Sequence, residues 1–355
     1  MNLEARLKAQ IAADGPMTVA QYMTACLHDP LGGYYATRPH LGPDGDFITA
    51  PLVSQMFGEL LGLWAVETWI RMGRPPRLLL VEAGPGDGTL MSDMLRAARL
   101  APAFLKAAQL YLIETSAPLI QIQRERLAQS PLAPGWIESL AALPAGAPVI
   151  LVANELLDCL PVHQFVRTAR GWAERMVGLD SDGALTFGLA ARPLDRVLPA
   201  AEPGSLIEIS PAQEAFGAEL GHILARQGGA ALLIDYGRAE PGLGDTLQAL
   251  KAHRQLHPLE TPGEADLTVH ADFPAVAAAA EAAGVATALC GQGEFLRRLG
   301  IAERAEALGR ARPDQAETLQ RQRARLTDAD QMGTLFKVLA LYSPADVIPP
   351  GFEEA

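Results

Sequence analysis

The chain has 355 residues, 49% hydrophobic and 20% charged, with 29 Lys plus Arg against 41 Asp plus Glu and a formal net charge of −12. That balance excludes a wholly disordered chain. Its acidity argues against nucleic acid or an anionic membrane as a general partner, because both need clustered positive charge. Three scattered cysteines, Cys26, Cys159 and Cys290, form no CxxC pair, so a zinc knuckle is excluded and free thiols in a reducing compartment are expected. No secretory h-region opens the chain and no apolar run is long enough for a membrane span, which makes a cytoplasmic location the expectation.

Residues 1–74 read as a helical N-terminal region with a cofactor or substrate loop. Asn2–Ala13 and Thr18–Leu27 have helical patterning, with Thr18 as an N-cap. His28–Pro51 is dense in Gly, Pro and Tyr, a long loop of the kind that carries function. Ser54–Arg71 returns to helical spacing. Residues 75–355 then alternate. Short apolar strands are expected at Leu78–Glu82, Leu110–Glu114, Val149–Ala153, Leu206–Ile209, Ala231–Asp235, Val285–Leu289 and Leu335–Leu341. Helices fall at Thr89–Arg99, Ala117–Leu127, Ala212–Gln227, Phe273–Ala283 and across Glu294–Leu326. This alternation predicts an α/β fold with a mostly parallel sheet and helices on both faces. Two insertions interrupt it, around 163–205 and 238–270. The first reads as antiparallel strands broken at Arg170-Gly171 and Asp180–Gly183.

The sharpest motif is Leu78–Thr89, a strand running into a turn with Gly84, Gly86 and Gly88 and then a helix. Glycines at alternate positions admit positive φ and let a ligand approach the backbone, at the sheet edge where α/β proteins bind ligands. The dinucleotide fingerprint would need a glycine where Thr89 stands, and a P-loop would need a lysine before Thr89. A GxGxG turn preceded by Glu82 fits S-adenosylmethionine better, a ligand with cationic centres and no pyrophosphate. Glu114, ending the next strand, sits at the distance expected of a ribose-binding carboxylate. Glu82, Gly84, Pro85, Gly86, Gly88 and Glu114 are therefore the candidate cofactor residues.

With these segments in view, the chain resembles the MidA family, which includes the mitochondrial complex I assembly factor 7 type of protein arginine methyltransferase. The resemblance runs through Pro16–Tyr22, Asp29–Tyr35, Gly45–Phe47, Ser54–Glu59, Glu82–Leu90, Ala153–Val162, Ile234–Gly237, Gly244–Leu247, Pro262–Leu267 and Gly333–Val338. It implies a class I methyltransferase fold, Rossmann-like with a seven-strand sheet, using S-adenosylmethionine. It also implies a protein substrate carrying an arginine, with a respiratory complex I subunit or its assembly as the context. The location would then be bacterial cytoplasm, or the mitochondrial matrix for a processed chain. The chain departs from the family pattern at Leu52, where an acid is usual, and at Asp87 in the glycine turn.

Guanidinium transfer needs carboxylates that grip the N–H fork and orient one nitrogen. The segment after strand Val149–Ala153 offers Glu155 and Asp158, expected to face the transfer site, and Asn154, expected to position substrate or cofactor. Asp46 in the Gly-Asp-Phe loop is the next candidate. His163 is better explained as a structural histidine. Glu264, Asp266 and His270 lack a second histidine at ligand spacing, so no metal is expected. Two competing readings are an assembly or binding factor that retains the cofactor site, and a nicotinamide-dependent oxidoreductase.

Overall fold

The computed structural model describes residues 2–37, 49–191 and 198–353. Among these, seven main strands build a central sheet: β1 (Leu78–Ala83), β2 (Ala108–Ile113), β3 (Gly135–Ile137), β4 (Val149–Asn154), β5 (Gly229–Arg238), β6 (Ala286–Gly291) and β7 (Phe336–Ser343). Their order is β3-β2-β1-β4-β5-β7-β6, with the two-residue strand Ala271–Asp272 beside the end of β5. Neighbours from β3 to β5 are parallel, and β7 runs antiparallel to both β5 and β6. Leu78–Val81, Val149–Ala153 and Ala230–Ile234 are at most 2% exposed. Such continuous apolar runs suit parallel strands covered on both faces.

Alternate residues feed two cores. Leu78, Leu80, Ile150 and Val152 face helices α1 (Gln55–Arg71) and α2 (Thr89–Ala98). Leu79, Val81, Val149 and Leu151 face α3 (Pro211–Gln227) and α4 (Phe273–Ala282). Helix α1 lies close on α2 because Gly58 and Gly62 leave room for it. A Cβ on Gly58 would come within 2.6 Å of the Asp93 Cβ, and one on Gly62 would collide with the Met94 backbone. The buried Glu59 then ties α1 to Arg96 (3.1 Å) and Arg304 (2.8 Å).

The helices Gln292–Arg298, Ile301–Ala311 and Ala316–Thr327 join the first of these cores, and other described segments form a second layer. His163–Thr168, Gly171–Leu179, Leu185–Leu189 and Leu206–Ile209 make an antiparallel sheet, with the breaks at Arg170-Gly171 and Asp180–Gly183 where turn chemistry places them. Met17–Thr18 adds an edge to this sheet by pairing with Met176 and Val177. A smaller sheet joins Gln248–Lys251, Arg254–Leu256 and Asp266–Thr268. The helices Leu3–Asp14 and Val19–His28 bury Leu7, Ile11, Tyr22, Met23 and Leu27 against Val162, Val177, Ala249 and Leu267.

One strand expectation is corrected. Leu206–Ile209 does not enter the central sheet; it pairs with His163–Val166. Its place in the seven is taken by β3, three residues that the sequence pattern left out. Four residues, Leu-Ile-Glu-Ile, mark a strand without saying which sheet completes it.

Candidate active site

The parallel strands end along one edge, and an acid stands at or just past each end. Across the sheet these are Glu138 after β3, Glu114 after β2, Glu82 as the penultimate residue of β1, Glu155 after β4 and Asp235 just past the part of β5 that pairs with β4. Outside this edge lies a cavity of about 820 Å³. Glu82, Asp87, Glu114, Glu138, Glu155 and Glu219 line it, and among the described lining residues there is no lysine or arginine. Leu52, Leu156, Leu160 and Phe216 supply apolar wall. His28 and Tyr35, stacked with ring centroids 5.9 Å apart, reach it from the N-terminal helices.

The floor is the glycine turn. Gly84, Gly86 and Gly88 have φ of 67°, 53° and 82°, the left-handed region that side chains disfavour. Asp87 caps the following helix through Thr89 N–H (2.9 Å) and pairs with Arg126 (2.8 Å). Glu82 is 2% exposed, and its Oε2 has no hydrogen-bond partner. Burial, then the nearby Asp87 charge, pushes its carboxyl up to about 8.

Glu114 is held open-handed at the end of β2. Its Oε1 accepts from Thr115 N–H and Ser116 N–H, both at 2.8 Å, and its Oε2 accepts from Gln123 at 3.2 Å. Burial raises its carboxyl above the ordinary value, against those hydrogen bonds. Gln123 is a residue the sequence reading missed. Fully buried on the helix Ala117–Arg126, it donates to Gly86 O (2.8 Å) and accepts from Trp136 Nε1 (2.8 Å). It thereby joins the glycine turn, the acid of β2 and the strand β3. Glu138 was also missed. No motif marks either residue.

Across the cavity, Asn154 and Glu155 end β4. Glu155 is in the left-handed region at φ 54°, rare for a residue with a side chain. Its Oε1 accepts from Asn154 Nδ2 (2.9 Å) and Ala50 N–H (3.2 Å). Desolvation, then the Asp158 charge, pushes its carboxyl up to about 8. The Asn154 Oδ1 is buried with no partner. Asp158 is not among the lining residues. It is buried behind the cavity wall, hydrogen-bonded by Tyr236, and its carboxyl is pushed up to about 6 by burial. Asp46 lies outside the described residues. His163 pairs with Glu174 (2.6 Å) on the inserted sheet, Glu264 pairs with Lys251 (2.8 Å), and Asp266 accepts from the Tyr35 hydroxyl (3.0 Å).

Comparison with known proteins gives the family. The model of a family described as S-adenosyl-L-methionine-dependent methyltransferase matches residues 60–290. The chain belongs to this methyltransferase family. Mouse protein arginine methyltransferase NDUFAF7, mitochondrial, is 37% identical to it over 85% of this chain and 75% of its own length. The Drosophila melanogaster homolog is 37% identical over 96% and 85%. A Burkholderia thailandensis crystal structure bound to S-adenosyl-homocysteine superposes with a TM-score of 0.85 at 29% identity, covering 99% of this chain and 93% of that one. The fold is thus that of a Rossmann-like methyltransferase and the cofactor is S-adenosylmethionine. The methyltransferase's cavity fits this cofactor chemically. Its walls are rich in carboxyl groups that a cationic ligand would help to ionise, and the unpartnered Glu82 Oε2 and Asn154 Oδ1 offer acceptors to N–H groups. The glycine turn exposes backbone where a side chain would intrude.

Proposed function

We propose that this methyltransferase modifies a guanidinium nitrogen of an arginine in a protein. The observation that carries the reading is the cavity wall: six carboxyl side chains and, among the described lining residues, no lysine or arginine. That wall suits two cationic reactants brought together. The relatives named as protein arginine methyltransferases support it, and the resemblance adds a respiratory complex I subunit, or a step in its assembly, as the acceptor's context.

In this reading Gly84, Pro85, Gly86 and Gly88 cradle the cofactor's amino-acid end, Glu82 receives its ammonium, and Glu114 receives the ribose hydroxyls. Bound S-adenosylmethionine supplies an electrophilic methyl on a sulfonium. Glu155 and Asn154 hold the acceptor. A guanidinium must lose one proton for each methyl gained, and it is a poor nucleophile while fully protonated. Glu155 grips the N–H fork and takes that proton; a carboxyl raised to about 8 is a stronger base than an ordinary one. The apolar wall of Leu52, Leu156 and Leu160 excludes water, which strengthens the carboxylate–guanidinium attraction. Asp158 acts from behind, through its charge on Glu155.

The reaction belongs to bacterial cytoplasm or the mitochondrial matrix. The matched relatives are named mitochondrial, and no described helix is long and apolar enough to cross a membrane. The test is transfer of tritium from labelled S-adenosylmethionine into protein extract from cells lacking this gene, followed by acid hydrolysis and chromatography. Label in methylarginines is expected. Label in methyllysine or in alkali-labile esters overturns the arginine assignment. Tight S-adenosylhomocysteine binding with no label in any acceptor would favour the assembly-factor reading instead.

A further inference from the structure

Glu155 holds a backbone conformation that costs free energy for a residue with a side chain, and such strain persists only where neighbours over-determine it. The neighbours are identifiable. Glu155 N–H donates to Ile234 O on β5 at 2.8 Å. The next residue of β5, Asp235, is fully buried and turns its carboxylate onto the loop that follows Glu155. Its Oδ2 accepts from Leu157 N–H (2.9 Å) and Asp158 N–H (3.1 Å). Its Oδ1 accepts from Tyr236 N–H (2.9 Å). Two further clamps close the loop from other elements. Gln213 of α3 donates to Leu157 O (2.8 Å), and Val269 N–H donates to Asp158 O (2.9 Å).

We infer that Asp235 is a positioning residue for methyl transfer: it holds the loop 155–158 so that the Glu155 carboxylate stays aimed into the cavity. This rests on the role proposed for Glu155. Asp235 does not line the cavity, so it acts through Glu155 and not on either reactant. Two acceptor oxygens are needed, because three N–H groups converge on the Asp235 carboxyl. An asparagine offers one acceptor oxygen and would turn its own N–H groups toward the remaining donors.

The experiment is a double-mutant cycle of Asp235→Asn and Glu155→Gln. It is read as the initial rate of tritium transfer from S-adenosylmethionine into extract from cells lacking the gene. S-adenosylhomocysteine calorimetry checks each variant's cofactor site. Asp235→Asn is expected to slow transfer about 100-fold, as misplacement of a reacting group does, while S-adenosylhomocysteine affinity changes less than about tenfold, because the glycine turn and Glu114 are held by Gln123 and not by Asp235. In the Glu155→Gln background the same change should cost less than about threefold, because residues acting as a unit are non-additive. Amide hydrogen exchange across residues 155–158, which needs no acceptor, should speed up about tenfold or more in Asp235→Asn. Unchanged exchange, unchanged rate, or losses that multiply across the cycle overturn the inference. Normal transfer by Glu155→Gln alone instead removes Glu155 from the mechanism and leaves the exchange result to judge the clamp. If Asp235→Asn loses S-adenosylhomocysteine binding, Gln213→Glu, which removes the N–H donor to Leu157 O while keeping an oxygen for Asp272 N–H (2.9 Å), carries the same cycle and the same criteria.

Discussion

Replacing Gln123 with leucine keeps its approximate volume and removes every polar contact it makes. Three partners are left behind: the Gly86 carbonyl, the Trp136 indole N–H and the Glu114 Oε2. A net hydrogen bond between neutral groups contributes about 1 kcal/mol, one to a carboxylate about 1.5–3 kcal/mol, and groups left dry and unpaired cost more. The Glu114 contact is the longest at 3.2 Å, so its lower value is appropriate. The sum is a loss of about 3–4 kcal/mol in unfolding free energy. Because the same side chain fixes the glycine turn relative to Glu114, S-adenosylhomocysteine affinity should fall about tenfold to 100-fold, or 1.4–2.8 kcal/mol. Urea unfolding of the ligand-free protein and calorimetric titration measure the two effects separately. Destabilisation below about 1 kcal/mol, with an unchanged dissociation constant, would refute the view that Gln123 joins the turn to the acid.

Other consequences are equally direct. Since Glu155 must be ionised to accept a proton, kcat/KM should rise with pH through a limb at or below about 8, lower once a cation occupies the cavity; a pH–rate profile of Glu155→Gln should lack that limb. Glu82 is raised from 4.5 to about 8, so the folded ligand-free protein holds a proton there that the unfolded chain releases. Its stabilising contribution is full below pH 4.5 and is lost as pH rises towards 8. Glu82→Gln should flatten that part of the stability–pH curve, recovering roughly 3–5 kcal/mol at pH 8, and should weaken S-adenosylmethionine binding; a curve parallel to wild type by thermal unfolding would refute the burial argument. A Cβ at Gly84 would meet Leu156 Cδ1 at 3.0 Å with φ at 67°. Gly84→Ala should therefore cost about 1–2 kcal/mol of stability and most cofactor affinity, and full affinity by calorimetry would exclude this turn from the site.

Much of this was legible in the residues. The glycine turn, Glu82 and Glu114 could be read because each follows an apolar strand at a position fixed by the α/β path. The antiparallel insertion could be read because Gly171 and Gly183 take positive φ at the very turns that break it. The strand β3 could not: Gly135–Ile137 has three residues and too little pattern to register a period. Glu155 and Asp158 are both expected from the sequence to face the transfer site, yet the chain between them is a strained loop that sends one to the cavity and the other behind it. Gln123 is an ordinary helix residue by sequence, and only the packing of three elements gives it a role.

The helices Leu3–Asp14 and Val19–His28 are made before the elements that cover them and are among the last to be satisfied. Tyr22 donates its hydroxyl to Pro258 O (2.8 Å), and Met23 and Leu27 share a core with Val177, Ala249 and Leu267. The contacts to Pro258, Ala249 and Leu267 join residues separated by more than half of the sequence, so synthesis must pass both insertions before that core can close. Until then the apolar face of Val19–His28 has no native cover. Long-range closure of this kind slows folding and extends the time an adhesive surface is open to the wrong partner. For this methyltransferase the most vulnerable interval falls during translation, before the acids of the site have been brought to one edge.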